Sequence, residues 1–314
     1  MNTYHLAVKK GDLEELKKLC EEKGTIDVDK GFNGANLLHT AAIFDKLAIL
    51  NYLIDKGIDI NDKNNNGESA CHLAVMYNHF DIFKRLLELN ASVAERNKNG
   101  YKIIHSAASV GNFNVLKLLL SNGGVDVDDK NNYHETALHL ACLKGHYIVV
   151  RLLLIFKAST TIQSSLGMLP LHYAAKNGRV DILDLFIEKA YHPLNIQTKD
   201  GQSILHLSAL NNHLEFVERL IEEKIDLDLK DNKENTALHL AVQYNHRDIM
   251  EVLIENGANV CSKNALFMTP IALSISTKYG SDTRWMINNS SFNSLHHAVK
   301  DKSLLHLLLK SNNL

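Results

Sequence analysis

The sequence has little of what most functional classes require. Only three prolines and one tryptophan occur in 314 residues. No window of about 18 apolar residues is present, so no membrane-spanning helix is expected. Met1 to Lys10 has neither a basic n-region nor a continuous apolar h-region, which points to a soluble chain not secreted by a cleaved signal. The four cysteines, Cys20, Cys71, Cys142 and Cys261, lie more than 50 residues apart and form no CxxC pair. That spacing fits reduced thiols in the cytoplasm and argues against a disulfide framework or a cysteine-based zinc site. Neither sign of charge dominates: 34 Lys+Arg face 36 Asp+Glu, for a formal charge of −2. Without a global field, nucleic acid is not an expected partner. The chain contains no G-x-S-x-G, G-x-x-x-x-G-K-[ST], G-x-G-x-x-G or H-E-x-x-H, so enzymatic activity is not expected. Acidic residues such as Glu14, Glu15, Glu215 and Glu218 stand beside Lys and Arg at helical spacing, as on a solvated face.

What the chain has in abundance is self-similarity. A Leu, Ile or Cys followed by His recurs as Leu38-His39, Cys71-His72, Ile104-His105, Leu138-His139, Leu171-His172, Leu205-His206 and Leu238-His239. Successive histidines are 33, 33, 34, 33, 34 and 33 residues apart. His5 lies 34 residues before His39, and Ala272 takes the same register 33 residues after His239. A period of that length signals a repeat architecture. In one unit, Thr136 is a candidate N-cap, residues to Lys144 a short helix, and Gly145 a left-handed stop. Pro170 and Pro270 fall just inside the cap, where a missing N–H costs nothing. Gly11, Asn78, Gly111, Gly178, Asn212 and Asn245 are the equivalent stops. A second helix follows, with an apolar face such as Ile148-Val149-Val150 and Leu152-Leu153-Leu154, ending near Gly57, Gly123 or Gly257. Alternation such as Ile58-Asp59-Ile60-Asn61 then leads to turns with Gly34, Gly67, Gly100, Gly167 or Gly201, which reads as a hairpin-like projection.

These residues resemble the ankyrin-repeat family and its T-P-L-H-x-A signature over residues 3 to 275. The nearest matches are Thr136-Ala137-Leu138-His139-Leu140-Ala141 and Thr236-Ala237-Leu238-His239-Leu240-Ala241. The departures are His134, Glu234 and Phe267 for the turn glycine, and Asn36, Lys102 and Leu169 for the cap threonine. The resemblance implies an all-α repeat solenoid of stacked helix-turn-helix repeats with projecting β-turns. Its expected organisation is a capping repeat at 1–30 and repeats at 31–63, 64–96, 97–130, 131–163, 164–197, 198–230 and 231–263. A degenerate repeat at 264–290 and a cap at 291–314 complete one continuous domain. Trp285 lies in the degenerate part, and a ligand-specific extension is the rival reading of 291–314. The resemblance further implies that the Leu-His histidines are buried beside the caps and hydrogen-bond neighbouring turns. Helix layers stand about 10 Å apart, too far for two such imidazoles to share one zinc ion at about 2 Å each. No metal or other cofactor is expected. His296-His297 with His306 is the one conceivable ligand group, and a degenerate repeat explains it more economically.

In such a family, variable contacts come from the turn tips and from positions four and five after the histidine. Here those positions are Ile43-Phe44, Met76-Tyr77, Ser109-Val110, Leu143-Lys144, Lys176-Asn177, Leu210-Asn211 and Gln243-Tyr244. The first half is apolar and the second polar. The turns add Phe32, Tyr101 and Tyr133 to the apolar half, rimmed by Lys30, Lys63, Arg96, Lys98 and Lys130. The candidate partner-binding residues are therefore Phe32, Ile43, Phe44, Met76, Tyr77, Tyr101, Val110, Tyr133, Leu143 and Lys144, with some free to pack between repeats instead. The expected partner is a protein or extended peptide with apolar anchors and an acidic flank, held on a concave surface by a chain that is monomeric when free. Adaptor, inhibitor and bacterial effector roles all fit. A scaffold or substrate-recruiting subunit is the alternative, and an enzyme with a site hidden in the C-terminal segment is the alternative of another class. The compartment expected is the cytoplasm, with the nucleus or a host-cell cytosol as variants.

Overall fold

The structure, a computed structural model, describes residues 3–23, 30–188 and 194–276. Trp285, the group His296, His297 and His306, and the expected cap at 291–314 lie outside the described residues. The chain forms two compact units, Met1–Ser159 and Thr160–Leu314.

In the first unit the helices come in pairs: α1 Thr3–Lys10 with α2 Leu13–Lys23, α3 Leu37–Ile43 with α4 Leu47–Asp55, α5 Ala70–Met76 with α6 Phe80–Glu88, α7 Ile103–Val110 with α8 Phe113–Ser121, and α9 Ala137–Lys144 with α10 Tyr147–Ile155. The second unit holds α11 Pro170–Lys176 with α12 Val180–Glu188, α13 Ile204–Leu210 with α14 Leu214–Glu222, α15 Ala237–Gln243 with α16 Arg247–Glu255, and α17 Pro270–Ser276. Helices this short do not persist alone in water, so packing must hold them. First helices pack in one layer, α1 through α9 and α11 through α17, and second helices in another. Between the layers, Phe83, Leu86, Phe186 and Phe216 are fully buried, each contributing on the order of 1.5–3 kcal/mol.

Each first helix starts by the same device. In α9 the N-cap Thr136 is extended (φ −92°, ψ 171°), and its backbone N–H donates to His139 Nδ1 at 3.1 Å. The same bond recurs from Asn36 to His39, Lys102 to His105 and Leu169 to His172, each at 3.1 Å. It therefore survives at Leu169, whose side chain has no acceptor, which explains why a poor cap residue leaves the register intact. The opposite ring nitrogen faces a carbonyl of the following turn: His39 Nε2 with Glu68 O at 3.0 Å, His72 with Tyr101 O at 3.1 Å, His206 with Asn235 O at 2.9 Å and His239 with Met268 O at 3.0 Å. A carbonyl only accepts and a backbone N–H only donates, so these imidazoles are neutral with the proton on Nε2. Burial holds the pKa of His39, His72, His105, His206 and His239 below the ordinary value, and that of His172 down to about 4. A second set reaches backwards: His79 Nε2 donates to Ile43 O at 3.0 Å, His146 Nε2 to Ser109 O at 3.1 Å and His213 Nε2 to Lys176 O at 2.9 Å.

The expected stops between paired helices all take positive φ, from 58° at Asn245 to 83° at Gly11. Two expectations need correction. Among the described residues the alternating stretches form no strands; Asp59 Oδ1 accepts the N–H of Asn61 and Asp126 Oδ1 that of Asp128, both at 2.9 Å, so local Asx turns take the bonds a strand would need. On α10, Ile148 is exposed, and only Val149, Val150 and Leu152–Leu154 enter the core.

The turn tips are joined backbone to backbone. In the first unit the N–H of Asn65 donates to Asn33 O at 2.8 Å, that of Lys98 to Asn66 O at 2.9 Å and that of Asn132 to Asn99 O at 3.1 Å. In the second, Lys199 donates to Leu166 O, Asn232 to Asp200 O and Ala265 to Lys233 O at 3.0–3.2 Å. Close stacking explains Gly100: its φ is 77°, and a Cβ there would stand 2.6 Å from the Asn132 nitrogen.

Candidate functional site

The turns shape the surface before any partner arrives. Asn64 Oδ1 accepts the N–H groups of Asn66 at 2.9 Å and Glu68 at 3.0 Å, and Asn97 Oδ1 those of Asn99 and Tyr101, both at 3.0 Å. These paired bonds fix the fifth residue of each turn against the start of the following helix. Between the turn and helix of one repeat (Glu68, Met76) and those of the next (Asn97, Tyr101, Ser106, Val110) lies a groove of about 200 Å³.

Three of the ten candidate residues, Met76, Tyr101 and Val110, line that groove. Tyr77 stands next to it, 52% exposed, its ring stacked on His79 at a centroid distance of 6.4 Å and an angle of 8°. Tyr101 is half-buried; burial, with the charge of Glu135 and the neighbouring Tyr133 adding to it, pushes its phenol above the ordinary value. Tyr133 is exposed on its tip. Ile43 and Phe44 are half-buried, and Lys9 Nζ covers the Phe44 ring at 5.0 Å from its centroid. Leu143 is half-buried and Lys144 exposed. Phe32 is 98% exposed on the first tip. None of Phe32, Ile43, Phe44, Leu143, Lys144 and Tyr133 lines the groove.

The basic rim has a structural duty that the sequence concealed. Lys63 Nζ pairs with Glu95 at 2.7 Å and donates to Arg96 O at 3.3 Å, while Arg96 donates to Gly100 O at 2.8 Å and Lys130 O at 2.7 Å and pairs with Asp129. Asp129 is also paired with Lys102. In the second unit Gln197 Nε2 donates to Gly201 O and to Lys230 O (2.7 Å), and Lys230 Nζ to Lys263 O at 2.7 Å. A neutral Gln does the work of Arg, so this register needs a long donor to stitch adjacent turns and needs no positive charge. Lys63 and Arg96 thus serve the turns themselves, while Lys30, Lys98 and Lys130 of the rim are exposed.

A second groove holds none of the ten candidate residues, although Leu210, Gln243 and Tyr244 of the mapped contact positions line it. It measures about 330 Å³ and runs between Gln202 and Leu210 on one side and Asp231, Asn235, Leu240 and Tyr244 on the other, with Asp200, Lys233 and Gln243 at its edges. Every lining position of the first groove recurs here 134 residues later, as in 68 and 202, 76 and 210, or 110 and 244. Tyr244 is 52% exposed, as much as Tyr77. The repeat register alone could have located this groove; the polar residues around Tyr244 drew attention away from it.

Among the described residues no group of three or more His, Cys, Asp or Glu could hold a metal ion, and no described helix is long and apolar enough to cross a membrane.

Comparison with known proteins agrees with this geometry. A family model for ankyrin repeats in three copies matches residues 4–97, 89–164 and 171–264. The chain is 34% identical over 113 residues to inversin from Canis lupus familiaris, covering 36% of this chain and 10% of inversin. It is 31% identical over 114 residues to a putative ankyrin repeat protein from Rickettsia felis, covering 36% of this chain and 37% of that protein. With palmitoyltransferase AKR1 from Lachancea kluyveri it shares 29% identity over 210 residues, 65% of this chain and 28% of that enzyme. The matched part is thus a tenth of inversin and less than two fifths of the other two.

Proposed function

The chain belongs to the ankyrin-repeat family, and we propose that it acts as a non-catalytic module that binds a partner protein at the first groove, with Met76, Tyr77, Tyr101 and Val110 at the centre of contact. Ankyrin repeats are protein-interaction modules, and one observation carries the placement here. Met76, Tyr77 and Val110 are large apolar side chains left exposed side by side around a recess, with Tyr101 half-buried in its wall. Aromatic and Met side chains set in a polar surround are the usual composition of binding hot spots. Roles as an adaptor or an inhibitor follow directly from such a surface.

The likeness to a palmitoyltransferase spans 28% of that enzyme, and catalysis is not carried over to this chain. Three of its four cysteines speak against a thiol nucleophile. Cys20, Cys71 and Cys142 are buried, and burial pushes the Cys71 thiol up to about 12, the opposite of an activated thiolate.

The test is affinity purification from a source lysate with mass-spectrometric identification of the partner, followed by calorimetric titration of variants. Tyr77→Ala with Val110→Ala should weaken binding by about 2 kcal/mol or more and leave the circular-dichroism melt nearly unchanged. Asn177→Ala with Asn211→Ala should matter less, since those amides donate to Tyr173 O and Leu207 O of their own helices at 3.0 and 2.8 Å. The reverse pattern would show that the contact surface lies elsewhere.

A further inference from the structure

We propose that the first groove receives a basic side chain, so that the bound segment lays an arginine or lysine against Glu68 between apolar neighbours. The inference rests on the protein-binding reading above and names the chemistry of the segment. Glu68 is only 8% exposed yet lines the groove. Its Oε2 accepts from Asn64 Nδ2 at 2.8 Å and Asn66 Nδ2 at 3.3 Å. Its Oε1 accepts no hydrogen bond among the described residues and is not sealed from solvent. No cation of the described residues pairs with Glu68, since Lys63 is engaged by Glu95, and Arg96 and Lys102 by Asp129. A nearly buried carboxylate with an open oxygen and no counter-ion favours a charged donor. Tyr101, Met76 and Val110 supply the apolar and aromatic wall along which the stem of an arginine or lysine packs and over which a guanidinium lies well. The volume of about 200 Å³ falls below that of small-molecule sites, about 300–1,000 Å³, and suits one side chain.

The second groove supports the assignment. Position 68 becomes Gln202 there, and the carboxylate reappears on the facing turn, where Asn97 is replaced by Asp231, also 8% exposed. Each groove keeps one nearly buried carboxylate beside a tyrosine, although different registers provide them.

The experiment selects a random twelve-residue peptide display library on the full chain and on Glu68→Gln. The variant should fold, because Gln202 occupies the same register and a Gln carbonyl still accepts from Asn64 Nδ2; a thermal melt checks this. Wild-type pools should be enriched in Arg or Lys at one position flanked by apolar residues. Pools from Glu68→Gln should keep the apolar pattern and lose the basic one. For the strongest wild-type peptide, Glu68→Gln and Arg→Met in the peptide should each cost about tenfold in Kd, and both together little more than one alone. An apolar pool without basic enrichment, an acidic enrichment, or a basic enrichment that survives Glu68→Gln would overturn this inference and leave the protein-binding reading standing. A wild-type pool with no enriched residue at all would overturn both.

Discussion

The two grooves share a construction and differ in chemistry. At equivalent registers Tyr101, Ser106, Ser109 and Val110 of the first become Asn235, Leu240, Gln243 and Tyr244 of the second, so the lining aromatic moves from a half-buried position in the turn to the exposed C-cap of α15. The carboxylate moves as well, from Glu68 to Asp231. What stays is the hardware behind the walls: cap histidines, paired Asx bonds and long-donor stitches. The side chains that differ between the grooves thus sit on a shared frame, and Asn97 and Asp231 belong to both, each lining a groove while accepting the N–H groups of its own turn.

The harshest trial of that equivalence is acid. In the unfolded chain the histidines titrate near 6.5. Burial keeps His39, His72 and His105 of the first unit, and His172, His206 and His239 of the second, below that value. The unfolded state therefore takes up protons first. Stability from these groups is complete above about pH 6.5 and declines as pH falls, with the decline from His172 finished near its folded value of about 4. His172 alone should account for about 3 kcal/mol of the loss, and the other buried histidines add to it in the same direction. Urea midpoints between pH 7.5 and 4.5 read the total, and hydrogen exchange assigns it to each unit. A flat profile, or a loss confined to one unit, would break the comparison.

A milder intervention transplants one unit's chemistry into the other. Asn64 Nδ2 donates to Glu68 Oε2 at 2.8 Å, whereas in the second unit the polarity is reversed and Asn235 Nδ2 donates to Asp231 Oδ2 at 3.3 Å. Asn64→Asp alone sets two carboxylates against each other and should cost about 1–2 kcal/mol. Adding Glu68→Asn installs the second unit's pair and should recover most of it. Chemical denaturation of the three proteins decides; a double variant no better than the single one would show that the two turns are not interchangeable.

The smallest effect concerns the turn ends. His134 of the first unit and Glu234 of the second hold φ of 57° and 58° at the turn position that Gly34, Gly67, Gly100, Gly167 and Gly201 occupy in other repeats. His134→Gly and Glu234→Gly should each stabilise by about 0.5–1 kcal/mol, the relief of a left-handed side chain offset by greater freedom in the unfolded chain. Lower melting temperatures would show that the side chains hold the turns.

Much of this was legible in the residues. Thr136, Thr236 and the recurring His mark the helix starts because capping is local chemistry, and Gly11, Asn78 and Gly145 mark the stops for the same reason. The role of Lys63 and Arg96 was not legible, because a charge at the edge of a turn looks the same whether it faces solvent or reaches a carbonyl 33 or 34 residues away. Neither was the burial of Glu68. Its shielding comes from Asn64, Asn66 and the neighbouring repeat, and nothing in its own type announces it. Of the ten candidate contacts, Met76, Tyr101 and Val110 converge because they share the register of the groove. Phe32 is an aromatic of a turn as well but stands apart from the groove on its own tip.

The tip ladder has a consequence for how such a surface changes over generations. The bonds from Asn65 to Asn33, Lys98 to Asn66 and Asn232 to Asp200 join main-chain groups. Nineteen of the twenty amino acids could donate at the second tip position; only proline lacks the hydrogen. Substitution at the donating tip position therefore changes the exposed side chain while leaving the joint between neighbouring repeats in place. Asn, Lys and Ala already alternate there along one chain. The tips form a replaceable alphabet on a fixed frame.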